Sequence, residues 1–201
     1  MKLYYSPGAC SLAPHIALYE TGANFDAVKV DLGSRKTDAG DDFLAVNRAG
    51  KVPALALSTG ETLTENPAIL LYIADQNDGA GLAPREGSLE RYQLLSRLGF
   101  LSSELHKAFV PLFTPGTTDE AKAAATKTVK DLLAGLDQEI AGKDHYVGEA
   151  FSVADIYLFV ILSWPAHVGI DMAAYPALGA FAGKIAQRPS VGAALKAEGL
   201  I

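Results

Sequence analysis

Apolar residues along the first third of the chain recur at two periods. Lys2–Tyr5 is a short aromatic run that reads as a strand, and Ser6-Pro7-Gly8 breaks it. From Cys10 onward Leu12, Ile16 and Tyr19 fall at helical spacing, and Thr21-Gly22 closes that helix. Phe25, Ala27, Val28 and Val30 predict a second strand. Asp41–Val46 predicts a short helix, followed by turn chemistry at Asn47-Arg48-Ala49-Gly50. Ala54–Leu57 and Thr62–Leu63 flank Ser58-Thr59-Gly60-Glu61, the pattern of a hairpin. Asn66-Pro67 then opens a helix with Ile69, Leu70, Ile73 and Ala74 on its apolar face, proline suiting the first helical position.

The order is βαβ followed by ββα, which predicts a small α/β domain over residues 1–77. Residues 78–87, with three glycines and a proline, read as a linker. Beyond it strand signals nearly vanish. Helical periodicities cover Ser88–Phe113, Asp119–Ala141, Phe151–Val168, Met172–Gln187 and Ser190–Gly199, so residues 88–201 predict an all-α domain. Within it Ser152-Val153-Ala154-Asp155 has the form of a capping box, with Phe151 and Ile156 spaced as a hydrophobic staple.

Composition narrows the function classes. The 201 residues carry 17 Lys+Arg against 23 Asp+Glu, a net charge of −6, which argues against coating nucleic acid or an anionic membrane. Hydrophobic residues at 49% and charged residues at 20% exclude a disordered chain. The longest apolar run, Ile156–Leu162, is far short of the ~20 residues of a spanning helix, and Met1–Tyr5 lacks a signal core. A single cysteine excludes an intramolecular disulfide and a Cys-rich zinc cluster, and no metal site is expected. One cysteine suits a reducing compartment, so a cytoplasmic location is expected.

That cysteine poses the main chemical question. Cys10 lies at the predicted start of a helix, where free N–H groups and the helix dipole favour a thiolate and lower the thiol pKa. Equally, it reads as a small hydrophobe packing the helix onto the sheet. Ala13 stands three residues on, so two-thiol chemistry within the chain is excluded and any disulfide is mixed. Val52-Pro53 places a proline at a strand start; in a thioredoxin-like arrangement a cis proline there exposes the preceding backbone to a peptide ligand. Glu65-Asn66-Pro67 reads as an Asn-capped helix start with outward N–H groups, suiting a carboxylate, beside a carboxylate suiting an amine. The plain alternative is a capped helix with a solvated glutamate. Ser103, His106 and Lys107 share one face of a long helix at α-helical spacing. A cysteine hydrolase would need a third orienting residue, and none stands out. His15, His145 and His167 carry no motif.

Taken together, Tyr5-Ser6-Pro7-Gly8-Ala9-Cys10-Ser11, Gly50-Lys51-Val52-Pro53-Ala54-Leu55 and Leu63-Thr64-Glu65-Asn66-Pro67-Ala68-Ile69-Leu70 resemble a bacterial cytosolic glutathione S-transferase. Glu104-Leu105-His106-Lys107 with Pro111-Leu112-Phe113, and cysteine at position 10, resemble the beta class; Phe151–Asp155 matches the family's capping box. The resemblance spans the chain. It implies a thioredoxin-like N-terminal domain that binds glutathione as co-substrate, an all-helical domain that builds the pocket for a small hydrophobic electrophile, and a homodimer. It places Cys10 near the glutathione sulfur, pairs the Val52 backbone with the tripeptide beside Pro53, and gives the γ-glutamyl end to Glu65 and Asn66. Ala9, Arg35 and Lys51 join the glutathione set, and Arg35, Lys51 and Lys107 balance the remaining carboxylate. His106 and Lys107 approach from the helical domain, and Ser103 and Glu104 reach toward the partner subunit's glutathione. Ser152 and Asp155 are structural.

The implied activity is attack of a glutathione thiolate on an electrophile in a cleft between domains, with Cys10 and His106 stabilising the thiolate. Ser11 is the runner-up for that role, ahead of Tyr4 and Tyr5. Phe109, Phe113 and Trp164 are expected to line the electrophile pocket. Two alternatives stay open: disulfide or peroxide reduction through Cys10, and a non-catalytic binding protein of the same fold. Three departures from the class stand out. Gly99 replaces a frequent asparagine that bonds across the dimer, Arg97 replaces a frequent tryptophan, and Asn66 stands where serine or glycine is common.

Overall fold

The computed structural model describes all 201 residues and divides into two compact units, Met1–Ala83 with Gln187–Ile201, and Pro84–Ala186. In the first unit five strands form one mixed sheet in the order β3-β2-β1-β4-β5. They are β1 (Lys2–Tyr5), β2 (Asp26–Asp31), β3 (Lys36–Thr37), β4 (Ala54–Ala56) and β5 (Thr62–Thr64). Central β1 runs parallel to β2 and antiparallel to β4, with Leu3 opposite both Ala27 and Leu55. The βαβ and ββα halves are those predicted. The two-residue strand β3, antiparallel to β2, was not expected from the pattern.

Helices α1 (Leu12–Thr21) and α2 (Asn66–Asp75) pack on each other, and α1 also meets β1. Their apolar faces (Leu12, Ile16, Leu18, Ile69, Leu70, Ile73) are fully excluded from solvent or nearly so. Gly22 ends α1 in the left-handed region at φ 64°, which glycine enters without a Cβ penalty. A second cluster of Val30, Phe43, Val52 and Ala54 gathers Tyr4, Ala9 and Val46, with Phe43 on the 3₁₀ turn Phe43–Ala45 that stands for the predicted short helix. Backbone alternation thus sends Tyr4 into one cluster and Leu3 and Tyr5 away from it.

The partition 1–77, 78–87 and 88–201 needs one correction. The last helix, α8 (Pro189–Ala197), belongs to the first unit, packed on α1. Arg188 and Ser190 both bind the Glu20 carboxylate. Glu198, just past α8, accepts from the Gly8 N–H at 2.9 Å and pairs with His15 at 2.8 Å, with both side chains fully buried. A charge in that setting is held only when paired, so these contacts tie the residue after α8 to the loop before α1 and to α1 itself.

The second unit contains no strand. Helix α3 (Leu89–Phe100) runs through a π-turn at Leu101–Leu105 into α4 (His106–Phe113); α5 (Asp119–Ile140), α6 (Val153–Leu162) and α7 (Pro176–Ala186) follow. Helix α4 packs on α5, α7 on α5 and α6, and α3 on α6. Buried Leu98, Leu101, Leu105, Phe109, Val129, Leu133, Ile156 and Leu158 form the interior. The capping box is present: the Asp155 carboxylate accepts from the Ser152 N–H at 2.8 Å and hydroxyl at 2.7 Å, and from the Tyr146 N–H at 2.7 Å. No helix is long and apolar enough to cross a membrane.

Candidate active site

The predicted site residues fall in two sets, one in each unit. In the first unit the turn after β1, the approach to β4 and the start of α2 converge. The loop Ser6–Ser11 is closed by the Ser11 hydroxyl, which donates to the Ser6 carbonyl (3.3 Å) and accepts from the Ser6 N–H (3.1 Å). Ser11 is fully buried, and its hydroxyl latches this loop. Tyr4 and Tyr5 pack in the sheet, as the pattern suggested.

Cys10 does not begin the helix. It lies in the preceding turn, two residues before α1, with its Sγ donating to the Val52 carbonyl at 3.3 Å. Burial, the largest influence, pushes the thiol up to about 12, and the nearby Glu65 charge adds to this. The N–H groups of Cys10 and Ser11 and the charge of Lys51 pull the other way and lose. The expected lowering by the helix start is therefore reversed: desolvation outweighs the dipole, and the resting side chain is a neutral thiol. Part of the residue stays open to solvent.

The Val52–Pro53 peptide is cis and both residues are buried. Asn47 holds the approach to it, its amide donating to the Lys51 carbonyl at 2.7 Å while its oxygen accepts from the Ala49 N–H at 3.0 Å. Gly50, at φ 61°, lies so close to Arg35 that a Cβ there would stand 3.2 Å from Cδ and Nε of that side chain. Arg35 and Lys51 thus occupy one corner, and both are exposed.

The start of α2 departs from expectation in a telling way. Glu65, not Asn66, is the N-cap residue, at φ 69°, a left-handed conformation that is costly for a residue with a Cβ. It makes no side-chain cap, so the first-turn N–H groups are without one. Asn66 is the first helical residue. Its amide crosses to donate to the Cys10 carbonyl at 2.9 Å, and its buried Oδ1 has no partner. Cys10, Val52, Glu65 and Asn66 therefore form one connected corner.

In the second unit Ser103 and Glu104 lie within the π-turn and His106 and Lys107 begin α4, so the α-helical spacing that put Ser103 on one face with His106 and Lys107 does not hold. Ser103 donates to Glu104 at 3.0 Å, and both are exposed, as is Lys107. Half-buried His106 binds the Tyr157 hydroxyl through Nδ1 at 2.8 Å and meets the Trp164 ring at 4.8 Å. Trp164 in turn meets Phe109 at 5.6 Å and Phe113 at 6.0 Å. The three aromatics expected to line the electrophile pocket thus form one cluster, with Phe113 largely exposed. Arg97 pairs with Glu139 and lies over the Tyr146 ring at 5.4 Å, and a Cβ at Gly99 would meet nothing.

Two features escaped the sequence. His15 and Glu198 are 183 positions apart, and no local signal joins them. Tyr157 is different: a lone hydroxyl inside the apolar run of α6 requires a buried partner, and that signal was available.

Comparison with known proteins follows the same division. Residues 1–75 match the family model "Glutathione S-transferase, N-terminal domain" and residues 100–189 match "Glutathione S-transferase, C-terminal domain". The chain is 41% identical over 200 residues to glutathione S-transferase GstA of Escherichia coli O157:H7, covering 100% of each. It is 74% identical to the solved structure of a bacterial beta class glutathione S-transferase of Sphingomonas chungbukensis, with a TM-score of 0.99 and 100% of each chain covered. A sphingomonad glutathione S-transferase complexed with glutathione is 78% identical, with a TM-score of 0.98 and full coverage of both chains. From its strand order through its capping box to these matches, the chain belongs to the glutathione S-transferase family.

Proposed function

We propose that this enzyme binds glutathione at the Cys10–Val52–Glu65–Asn66 corner and transfers its thiol to small hydrophobic electrophiles. One observation carries the reading: a strained, uncapped helix start at Glu65-Asn66, with an unpartnered buried acceptor, beside a lone neutral thiol. First-turn N–H groups suit the γ-glutamyl carboxylate, and the Glu65 carboxylate suits its ammonium. Val52 offers its main chain to the cysteinyl unit, and Arg35 and Lys51 suit the glycyl carboxylate. That the sphingomonad relative is complexed with glutathione supports the assignment.

In the mechanism the Cys10 S–H turns from the Val52 carbonyl to donate to the glutathione sulfur, favouring its thiolate. The displaced proton goes to solvent. The thiolate attacks the electrophilic carbon, and the leaving group departs with the bonding pair. The Phe109–Phe113–Trp164 cluster binds the apolar body of the electrophile, with His106 at its edge and Lys107 nearby. Exposed Leu89, Tyr92 and Leu95 on α3 support a homodimer, where Ser103 and Glu104 serve the partner's glutathione; the cytoplasm is the proposed location.

The second reading, glutathione-dependent disulfide or peroxide reduction with Cys10 as nucleophile, draws on the Cys10 and Ser11 N–H groups aimed at the sulfur. The raised thiol favours the first. Cys10→Ala assayed with an activated aryl halide and with a mixed disulfide tests both. A conjugation rate at least about tenfold lower, one lost hydrogen bond to a charge, is expected. Unchanged rates in both assays would overturn a role for Cys10. A glutathione adduct on the purified protein, released by reductant and seen by mass spectrometry, would favour the second reading.

A further inference from the structure

We infer that Asn66 is a positioning residue for Cys10: its side-chain amide fixes the plane of the Cys10–Ser11 peptide, and so the direction of the Ser11 N–H beside the Cys10 sulfur. Asn66 opens α2 and is 4% exposed. Its Nδ2 donates to the Cys10 carbonyl at 2.9 Å, across 56 positions of sequence. A carbonyl only accepts, so the amide nitrogen must face Cys10 and the orientation of the side chain is settled. Its Oδ1 is buried without a partner. An unmet buried acceptor costs stability, so this is not the side chain that serves the fold best. Serine or glycine, common here in the class, would leave no amide oxygen unmet. Either would also lose the bond, because a serine hydroxyl ends one bond short of the amide nitrogen.

The Cys10 carbonyl is held from two sides, since it also accepts from the Ala13 N–H at 3.2 Å. A trans peptide is planar, with its C=O and N–H opposed. Anchoring the carbonyl to α2 and to Ala13 therefore turns the Ser11 N–H the other way and leaves it little freedom. The N–H groups of Cys10 and Ser11 act on the Cys10 sulfur and pull its thiol down against burial. The sulfur itself donates to the Val52 carbonyl at 3.3 Å. Val52 thus holds the side chain of Cys10 while Asn66 holds its main chain. An N–H directed at the sulfur polarises the S–H and makes it a better donor to a neighbouring thiolate. That bearing on catalysis rests on the proposed seat of glutathione at this corner.

The test uses the whole enzyme, free of ligand, carrying cysteine ¹³C-labelled at its carbonyl and ¹⁵N-serine. Cys10 is the one cysteine of the chain and Ser11 follows it, so the Ser11 amide is the one nitrogen coupled to a labelled carbonyl. Both resonances are expected to shift in Asn66→Ala, and likewise in Asn66→Ser. The urea midpoint changes little, because the Cys10 carbonyl keeps the Ala13 N–H and the unmet Oδ1 leaves with the side chain. Resonances that stay in place would overturn the positioning role without any appeal to activity. In conjugation of an activated aryl halide at saturating glutathione, Asn66→Ala lowers kcat about threefold. It also moves the acid limb of the kcat–pH profile up by about half a unit, since a weaker donor leaves the bound thiol less acidic. Saturation removes any loss of γ-glutamyl binding from that readout. A change confined to KM would overturn the role in catalysis. If the native enzyme fails to conjugate glutathione, the proposed seat fails, and the spectrum alone decides what Asn66 does to Cys10.

Discussion

Two helices of this protein begin in opposite ways. At α6, Asp155 accepts three hydrogen bonds from Ser152 and Tyr146, its chain is fully buried, and every donor it meets belongs to the protein. At α2, Glu65 stands at φ 69° with no side-chain cap, and Asn66 commits its amide to the Cys10 carbonyl while its Oδ1 remains unpartnered. The first start closes on itself and holds the fold. The second keeps donors and strain for a molecule that is not part of the chain, as functional sites do.

The largest expected effect concerns the thiol at the open start. With its thiol pushed up to about 12, Cys10 has a thiolate fraction at neutral pH roughly a thousand times smaller than an exposed cysteine. Alkylation of the free enzyme by iodoacetamide is therefore slow at pH 7 and rises without a plateau to pH 10. Because the folded value lies above the unfolded one, the thiol's contribution to stability is full below about pH 9 and falls as pH rises toward 12. An ultraviolet thiolate step between pH 5 and 8 would contradict this.

Next comes the closed start. Asp155→Ala removes an acceptor shared by three donors and leaves them buried, a loss of about 3 kcal/mol measured by urea unfolding. Glutathione affinity of the folded fraction is expected to stay unchanged. A smaller and opposite effect belongs to Glu65→Gly. Relief of the left-handed strain stabilises the fold by about 1 kcal/mol, while glutathione binding weakens at least about tenfold. A loss of stability with affinity intact would reverse the contrast between the two starts.

How much of this was legible in the sequence depends on the range of the forces involved. Strand and helix periods around Leu3, Leu12, Ile16, Ile69 and Ile73 are local, and they located β1, α1, the hairpin and α2. The capping box is local too. The two-residue β3 has too few positions for a period to show. The place of α8 depends on Glu20, His15 and Glu198 meeting partners about 170 to 190 positions away, which no local pattern records. At the site the residue set was legible and its roles were less so. Local preference named Asn66 as the cap, but the left-handed turn at Glu65 shifted the helix start by one residue. Dipole reasoning lowered the Cys10 thiol because helix position is visible in sequence, whereas the burial that raises it is not. Nothing nearby in the sequence marks Ser6 as the partner of the Ser11 hydroxyl.

The most direct test of the central claim, that the open start of α2 holds the γ-glutamyl end of glutathione, is calorimetric titration with glutathione and with cysteinylglycine, which lacks that end. Cysteinylglycine is expected to bind the native enzyme at least about thirtyfold more weakly, from loss of two charge-assisted contacts. Glu65→Gly is expected to narrow this difference. Equal affinity for the two ligands, or a difference that Glu65→Gly leaves untouched, would contradict it.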